Sequence, residues 1–262
     1  MSQLEEESTL AREERPMAGG DGGKAPCFHR VILKLSGEMM KGPASFGLDR
    51  DSVQYIAREI QSVHDLGVQV GVVIGGGNIF RGTSDAAKDM NRAVADHVGM
   101  LATVINALML QDALEHMNVH VRTMTALPMA SFAEPYIMRR ALRHMEKGRV
   151  VIFAAGTGNP YFSTDSAAAL RASELEADAV LKGTKVDGIY TADPRKDPKA
   201  QFLPECTFER ALRDNLGVMD AAAMALCREN GTPVIVYDLK QAGNTRRVVC
   251  GENVGTKVTK ET

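Results

Sequence analysis

Gly75-Gly-Gly-Asn-Ile-Phe-Arg-Gly82 follows directly on Val68-Gln-Val-Gly-Val-Val-Ile74, and the two stretches read together decide the fold. A β-branched apolar run ended by three glycines is a buried strand whose exit turn carries no Cβ atoms. Backbone N–H groups in such a turn can approach a phosphate closely, and Arg81 adds a fork of donors matched to a phosphate or carboxylate. Taken alone, the triplet reads equally well as a tight strand-to-helix turn beside a surface arginine. A second loop of the same kind, and a lysine on a third strand, tip the reading toward an anion site.

The second loop, Ala155-Gly-Thr-Gly-Asn-Pro-Tyr-Phe-Ser-Thr164, leaves an apolar strand at 150–154 and enters an alanine-rich helix headed by Asp165. The lysine is Lys34, inside a strand at 30–35 that Ser36 and Gly37 close. An unpaired ammonium is rarely tolerated in a sheet, so Lys34 either snorkels out at the strand end or meets an anionic ligand. Two strands with small-residue exit loops predict an open, mainly parallel α/β sheet with ligands at its carboxyl edge. Phe80 and Tyr161 stand where GxGxxG needs its last glycine, which disfavours a dinucleotide site.

Around these loops, Asp49 caps a helix whose apolar face is Val53, Ile56, Ala57, Ile60 and Val63, with Gly67 as its stop. From 91 to 117 apolar residues cover more than one stripe, as in a helix buried on two sides, and subunit contact is the simplest explanation. Asp96, His97, Asn106 and Asp112 interrupt that run and argue against a membrane span. At the start of this helix Asp96 has an equally plain reading as a complement to the helix dipole. Further strands are expected at 119–123, 179–182, 234–237 and 248–250, and further helices at 136–147 and 220–230.

The 262 residues, 44% of them apolar, suffice for one sizeable domain, placed at 29–262. Residues 1–28, acidic and then glycine-rich, read as a mobile tail without the apolar core of a signal peptide. A formal net charge of −2 gives no global field for nucleic acid or an anionic membrane, so any anion must be held locally. Cys27, Cys206, Cys227 and Cys250 form no CxxC pair, which fits reduced thiols in a cytoplasmic protein and neither a disulfide frame nor a zinc site.

Five blocks in this order carry a family resemblance: Lys34-Leu-Ser-Gly37, the glycine loop 75–82, Met90-Asn-Arg with Asp96-His97, the loop 156–165, and Lys182-Gly-Thr-Lys-Val-Asp-Gly-Ile-Tyr-Thr-Ala-Asp193. Over essentially 30–259 the chain resembles the bacterial UMP (uridylate) kinases of the amino acid kinase superfamily. The resemblance implies a three-layer αβα sandwich around a mainly parallel sheet, transfer of the ATP γ-phosphoryl group to UMP, and a homohexamer built from dimers. It assigns Lys34, Leu35, Ser36, Gly37, Gly77, Arg81, Thr184, Tyr190 and Asp193 to ATP. Gly76, Asp96 and the run Thr157, Gly158, Asn159, Pro160, Tyr161, Phe162, Ser163, Thr164 go to UMP. Lys34, Arg81, Asp165 and Lys182 are the implied catalytic group, with Mg²⁺ held mainly by nucleotide phosphates and no dedicated metal ligands.

The same resemblance implies UTP inhibition and a GTP effector, but Gln111 and Glu115 replace basic residues of the family pattern, so little GTP activation is expected. Three other readings stay open: a carboxylate or carbamate kinase on the same fold, a non-enzymatic storage or sensor protein on that fold, and a globular interaction protein whose glycine loops are only turns.

Overall fold

The structure, a computed structural model, describes residues 24–81, 88–192, 194, 197–217 and 219–260. Residues 1–23 of the expected tail, Gly82 of the glycine loop and Asp193 of the expected ATP set lie outside the described residues. The chain runs β1 (Arg30–Leu35), a 3₁₀ turn (Gly37–Met39), α1 (Arg50–His64), β2 (Gln69–Ile74), α2 (Arg92–Glu115), β3 (Val121–Thr125), β4 (Glu134–Pro135), α3 (Met138–Glu146), β5 (Val150–Ala154) and α4 (Thr164–Glu174). It continues with β6 (Ala179–Thr184), β7 (Ile189–Tyr190), β8 (Phe202–Leu203), β9 (Glu205–Thr207), α5 (Phe208–Arg213), α6 (Ala221–Glu229), β10 (Val234–Asp238), α7 (Asn244–Val249) and β11 (Thr256–Thr259).

Among the described residues nine strands form one sheet in the order β4-β3-β5-β2-β1-β6-β10-β11-β9, while β7 and β8 make a separate ribbon. From β4 to β10 every pairing is parallel, and β11 runs antiparallel to β10. Side chains alternate across such a sheet with period two. Val31, Leu33 and Leu35 of β1 therefore enter one apolar core with α1, α2 and α7, and Ile32 enters the other with α3, α4, α5 and α6. β6 sorts the same way, with Leu181 on the α1 face and Val180 on the α4 face. The expected three-layer αβα sandwich is the observed architecture.

Local chemistry sets the helix starts. Asp49, Asn91, Ser163, Thr207 and Asp220 each accept a backbone N–H in the first turn of the helix that follows. One expected element is corrected: 248–250 is no strand, because Val248 and Val249 end helix α7, and the last strand is β11. The start of α7 lies against the buried carboxylate of Glu59 on α1, which accepts the Gly243 N–H at 2.8 Å and the Thr245 hydroxyl at 2.7 Å. That long-range cap outweighs the β preference of two valines. Within one chain α2 is buried along one side, and Val94, Leu101, Ile105 and Met109 are exposed on the other, the side that subunit contact is expected to cover.

Candidate active site

Since β5, β2, β1 and β6 are consecutive neighbours in the parallel part of the sheet, their carboxyl ends lie along one edge. Alternation places Lys34 on the face that holds Ile32, and Lys182 on the face that holds Val180, so both point toward α4. They are register partners across β1 and β6. On α4, the Ser163 hydroxyl accepts the N–H groups of Asp165 at 2.9 Å and Ser166 at 3.2 Å, which fixes Asp165 in the first turn. Asp165 Oδ1 lies 2.5 Å from Lys34 Nζ, and Oδ2 accepts from Lys182 Nζ at 2.9 Å.

None of these three side chains is more than 14% exposed, so water screens the cluster weakly. Burial pushes the Asp165 carboxyl up, but the Lys34 and Lys182 ammonium groups outweigh it and hold the group below its ordinary 3.8. Burial also pulls Lys182 below its ordinary 10.5, against the attraction of Asp165. Lys34 thus meets a carboxylate of its own chain and does not snorkel into solvent.

The glycine loop after β2 is clamped by two buried asparagines. Asn78 and Asn106 exchange side-chain amide bonds at 3.0 and 2.7 Å; Asn106 also donates to Gly75 O at 2.7 Å, and Asn78 to Gly47 O at 2.9 Å. At Gly37 a Cβ would stand 2.2 Å from Gly75 O and 2.4 Å from Asn78 Oδ1, so no other residue fits there without moving backbone. Gly76 is similarly tight, its Cβ position 2.8 Å from Gly99 O on α2. Arg81 pairs with Glu38 on the 3₁₀ turn and donates to Gly77 O at 3.3 Å.

Between this loop, the first half of α2 and the loop after β5 opens a cleft of about 150 Å³. Gly76, Gly77, Phe80, Asp96, Thr157, Phe162, Ser163 and Thr164 are among its walls. The second loop carries two non-glycine residues at positive φ, Ala155 at 61° and Tyr161 at 72°, a conformation that surrounding contacts must hold. Asp96 supplies one such contact by accepting the Tyr161 N–H at 2.7 Å, while Arg92 pairs with Asp96 at 2.9 Å and stands over the Tyr161 ring.

The pattern of loops and charges has a match among known families: the model described as "Amino acid kinase family" fits residues 29–238. The chain belongs to the amino acid kinase family. The chain also resembles solved structures along nearly their whole length. A UMP kinase from Bacillus anthracis matches with a TM-score of 0.87 at 39% identity, over 90% of this chain and 97% of that one. A UMP kinase from Ureaplasma parvum gives 0.84 at 39%, over 88% and 99%. The uridylate kinase from Archaeoglobus fulgidus gives 0.68 at 27%, over 87% and 99%.

The remaining expected residues among those described take the following places. Leu35 is buried in the core, so only its backbone is available, and Ser36 caps the 3₁₀ turn by position without a side-chain bond. Thr184 ends β6, its hydroxyl donating to Val186 O at 2.7 Å and accepting the Val186 N–H at 3.1 Å. Tyr190 lies on the β7–β8 ribbon, hydrogen-bonded to Asp187 and edge-on to Phe202. Gly158, Asn159, Pro160 and Tyr161 are not among the cleft walls; Gly158 backs onto Ala126.

Three residues of the site escaped sequence reasoning. Asn106 registered only as a polar break in an apolar helix, Asp220 only as a helix start, and Glu38 not at all. Asp220 accepts from the hydroxyls of Ser163 and Ser166 and so ties the second loop to α6. A buried asparagine in a helix otherwise apolar was the one available signal for Asn106.

Proposed function

We propose that the protein is a UMP kinase, moving the γ-phosphoryl group of ATP to UMP and releasing UDP and ADP. The observation that carries this reading is the pair of lysines, Lys34 and Lys182, sharing Asp165 at the edge where two small-residue loops and Asp96 enclose a cleft. Residues 34–37 with Gly77, Arg81, Thr184, Tyr190 and Asp193 form the donor side. Gly76, Asp96 and the loop 157–164 form the acceptor side, with Asp96 facing the ribose hydroxyls.

The chemistry asks little of a general base. A phosphate monoester loses its second proton near pH 6, so the attacking oxygen is already ionised at neutral pH. The obstacle is repulsion between two anions. Lys34, Lys182, Arg81 and the loop N–H groups supply positive charge aimed at the transferred group, and Asp165 holds both lysines in place. Mg²⁺, carried in on the donor phosphates, would add charge neutralisation. Mg²⁺ usually keeps phosphate and water oxygens as ligands, so a dedicated protein cage is not required for that role.

The exposed stripe on α2 supports self-association, with a homohexamer built as a trimer of dimers as the proposed assembly. The chain is proposed to act in the cytoplasm in pyrimidine nucleotide synthesis, with UTP as an inhibitor. GTP is expected to activate weakly or not at all, since Gln111 donates to Glu115 at 2.9 Å and neither side chain offers positive charge. A several-fold rise in turnover on adding GTP would contradict this. The deciding assay measures ADP formation from ATP with UMP, CMP, glutamate, aspartate or carbamate as acceptor. UMP should be preferred, and turnover on a carboxylate or carbamate alone would refute the proposal.

A further inference from the structure

Outside the Lys34–Asp165–Lys182 cluster, a second group of charges gathers on the same sheet edge. Lys185 follows the last residue of β6, in a turn that the Thr184 hydroxyl closes from both sides. Its Nζ lies 3.4 Å from Glu38 Oε2, and the other carboxylate oxygen of Glu38 holds Arg81. Gly77 is part of the same junction: a Cβ there would stand 3.7 Å from Arg81 Nε and 3.9 Å from Glu38 Cγ. One carboxylate therefore bridges a cation from the β2 loop and a cation from the β6 loop.

Stability does not explain the arrangement. Glu38 is 19% exposed, but Arg81 is 54% and Lys185 39% exposed, and ion pairs so open to water add little to stability. The crowding of like charge is the informative feature. Partial burial, then the nearby Lys41, Lys240 and Arg81, press the Lys185 ammonium below its ordinary value. Several cations around a single carboxylate form a seat for a ligand of higher negative charge. Neither Lys185 nor Glu38 is among the walls of the cleft assigned to the monophosphate, so the matching ligand is the polyphosphate on the other side of the glycine loop.

We infer that Lys185 and Arg81 form a two-cation clamp on the triphosphate of the donor, and that Glu38 is the counter-charge keeping the pair aimed until phosphate oxygens replace it. This rests on the phosphoryl-transfer reading above and adds two residues to it. In the free protein the Glu38 carboxylate neutralises the two cations, and the incoming phosphates must displace it, which costs part of the binding energy.

The test is calorimetric titration of the full chain with ATP and Mg²⁺, and separately with UMP. Lys185→Met should weaken ATP binding about tenfold and leave UMP affinity within about twofold, and Lys185→Arg should restore most of the loss. Glu38→Gln should tighten ATP binding about threefold, because no carboxylate remains to be displaced. Unchanged ATP affinity in Lys185→Met, or an equal loss for ATP and UMP, overturns the clamp. Unchanged or weaker ATP binding in Glu38→Gln overturns the counter-charge role. Because ATP binding is read without turnover, these outcomes stand apart from the acceptor assay, whose failure would refute the UMP kinase proposal and leave the clamp to be judged by its own titrations.

Discussion

Lys34 and Lys182 are register partners on adjacent parallel strands, and both ammonium groups end on the one carboxylate of Asp165. Like charges at neighbouring strand positions repel, so this juxtaposition stands only while the carboxylate is present and ionised.

Asp165→Asn should therefore expose the repulsion. Removing the charged partner of buried cations costs about 3–5 kcal/mol, and an amide retains part of the hydrogen bonding, so a loss near 3 kcal/mol is expected. The sign of the pH dependence follows. In the wild type the Asp165 pKa is depressed by folding, so its contribution is present above the ordinary 3.8 and lost as pH falls through the lower folded value. Lys182 is depressed too, so stability that its burial removes at neutral pH returns as pH rises toward 10.5. Denaturant titrations of the variant across alkaline pH should show the deficit shrinking. A deficit independent of pH would count against the charge argument.

Lys34 and Asp96 should separate chemistry from binding. On the proposed mechanism Lys34→Ala removes charge that faces the transferred group and should lower kcat by about 10²-fold or more with little change in UMP affinity. Asp96→Asn should mainly raise the KM for UMP, since Asp96 lines the cleft proposed for the acceptor and accepts the Tyr161 N–H. Steady-state kinetics of both variants check this, and unchanged turnover in Lys34→Ala would remove that lysine from the reacting centre.

How much of this could be read from the sequence depends on range. The two loops, Lys34 as an oddity inside a strand, and the helix that Asp49 caps follow from local patterns of a few residues. The partner of Lys34 does not, because Asp165 comes to it only through the β1–β6 register and the start of α4. Pairings such as Asn78 with Asn106 likewise depend on how α2 lies across the loop. The misread segment 248–250 has the same cause: its valines look like a strand, and the carboxylate that makes them helical sits nearly two hundred positions earlier, at Glu59. Short strands β4, β7, β8 and β9 span two or three residues and have too few positions for a period to show.

Glu59 gives the third prediction. It is 6% exposed and serves the N-terminus of α7 from another helix. Hydrogen bonds to a charged group contribute about 1.5–3 kcal/mol, so Glu59→Ala should lower unfolding free energy by about 2–3 kcal/mol, whereas Glu59→Gln, which still accepts, should lose less. Urea titration would show the midpoint falling with the slope unchanged. Equal losses in the two variants would mean that packing, and not the cap, is what Glu59 contributes.

The last prediction concerns the face of α2 turned away from the site. Val94, Leu101, Ile105 and Met109 are 50%, 46%, 46% and 42% exposed, and their spacings of seven, four and four put them on one stripe. By length and composition this helix also qualifies as a membrane span, at a mean hydropathy of 1.6. Its other face, however, carries Thr103, whose hydroxyl accepts the Ala155 N–H at 2.8 Å, and Asn106, which holds Gly75, so the helix is built into the site. An apolar stripe on the outer side of such a helix is best covered by a second copy of the same stripe. Ile105→Glu would bury a carboxylate in that contact and should shift the protein to smaller species in sedimentation velocity, while circular dichroism stays unchanged. A variant that sediments like the wild type would remove this stripe from the subunit interface.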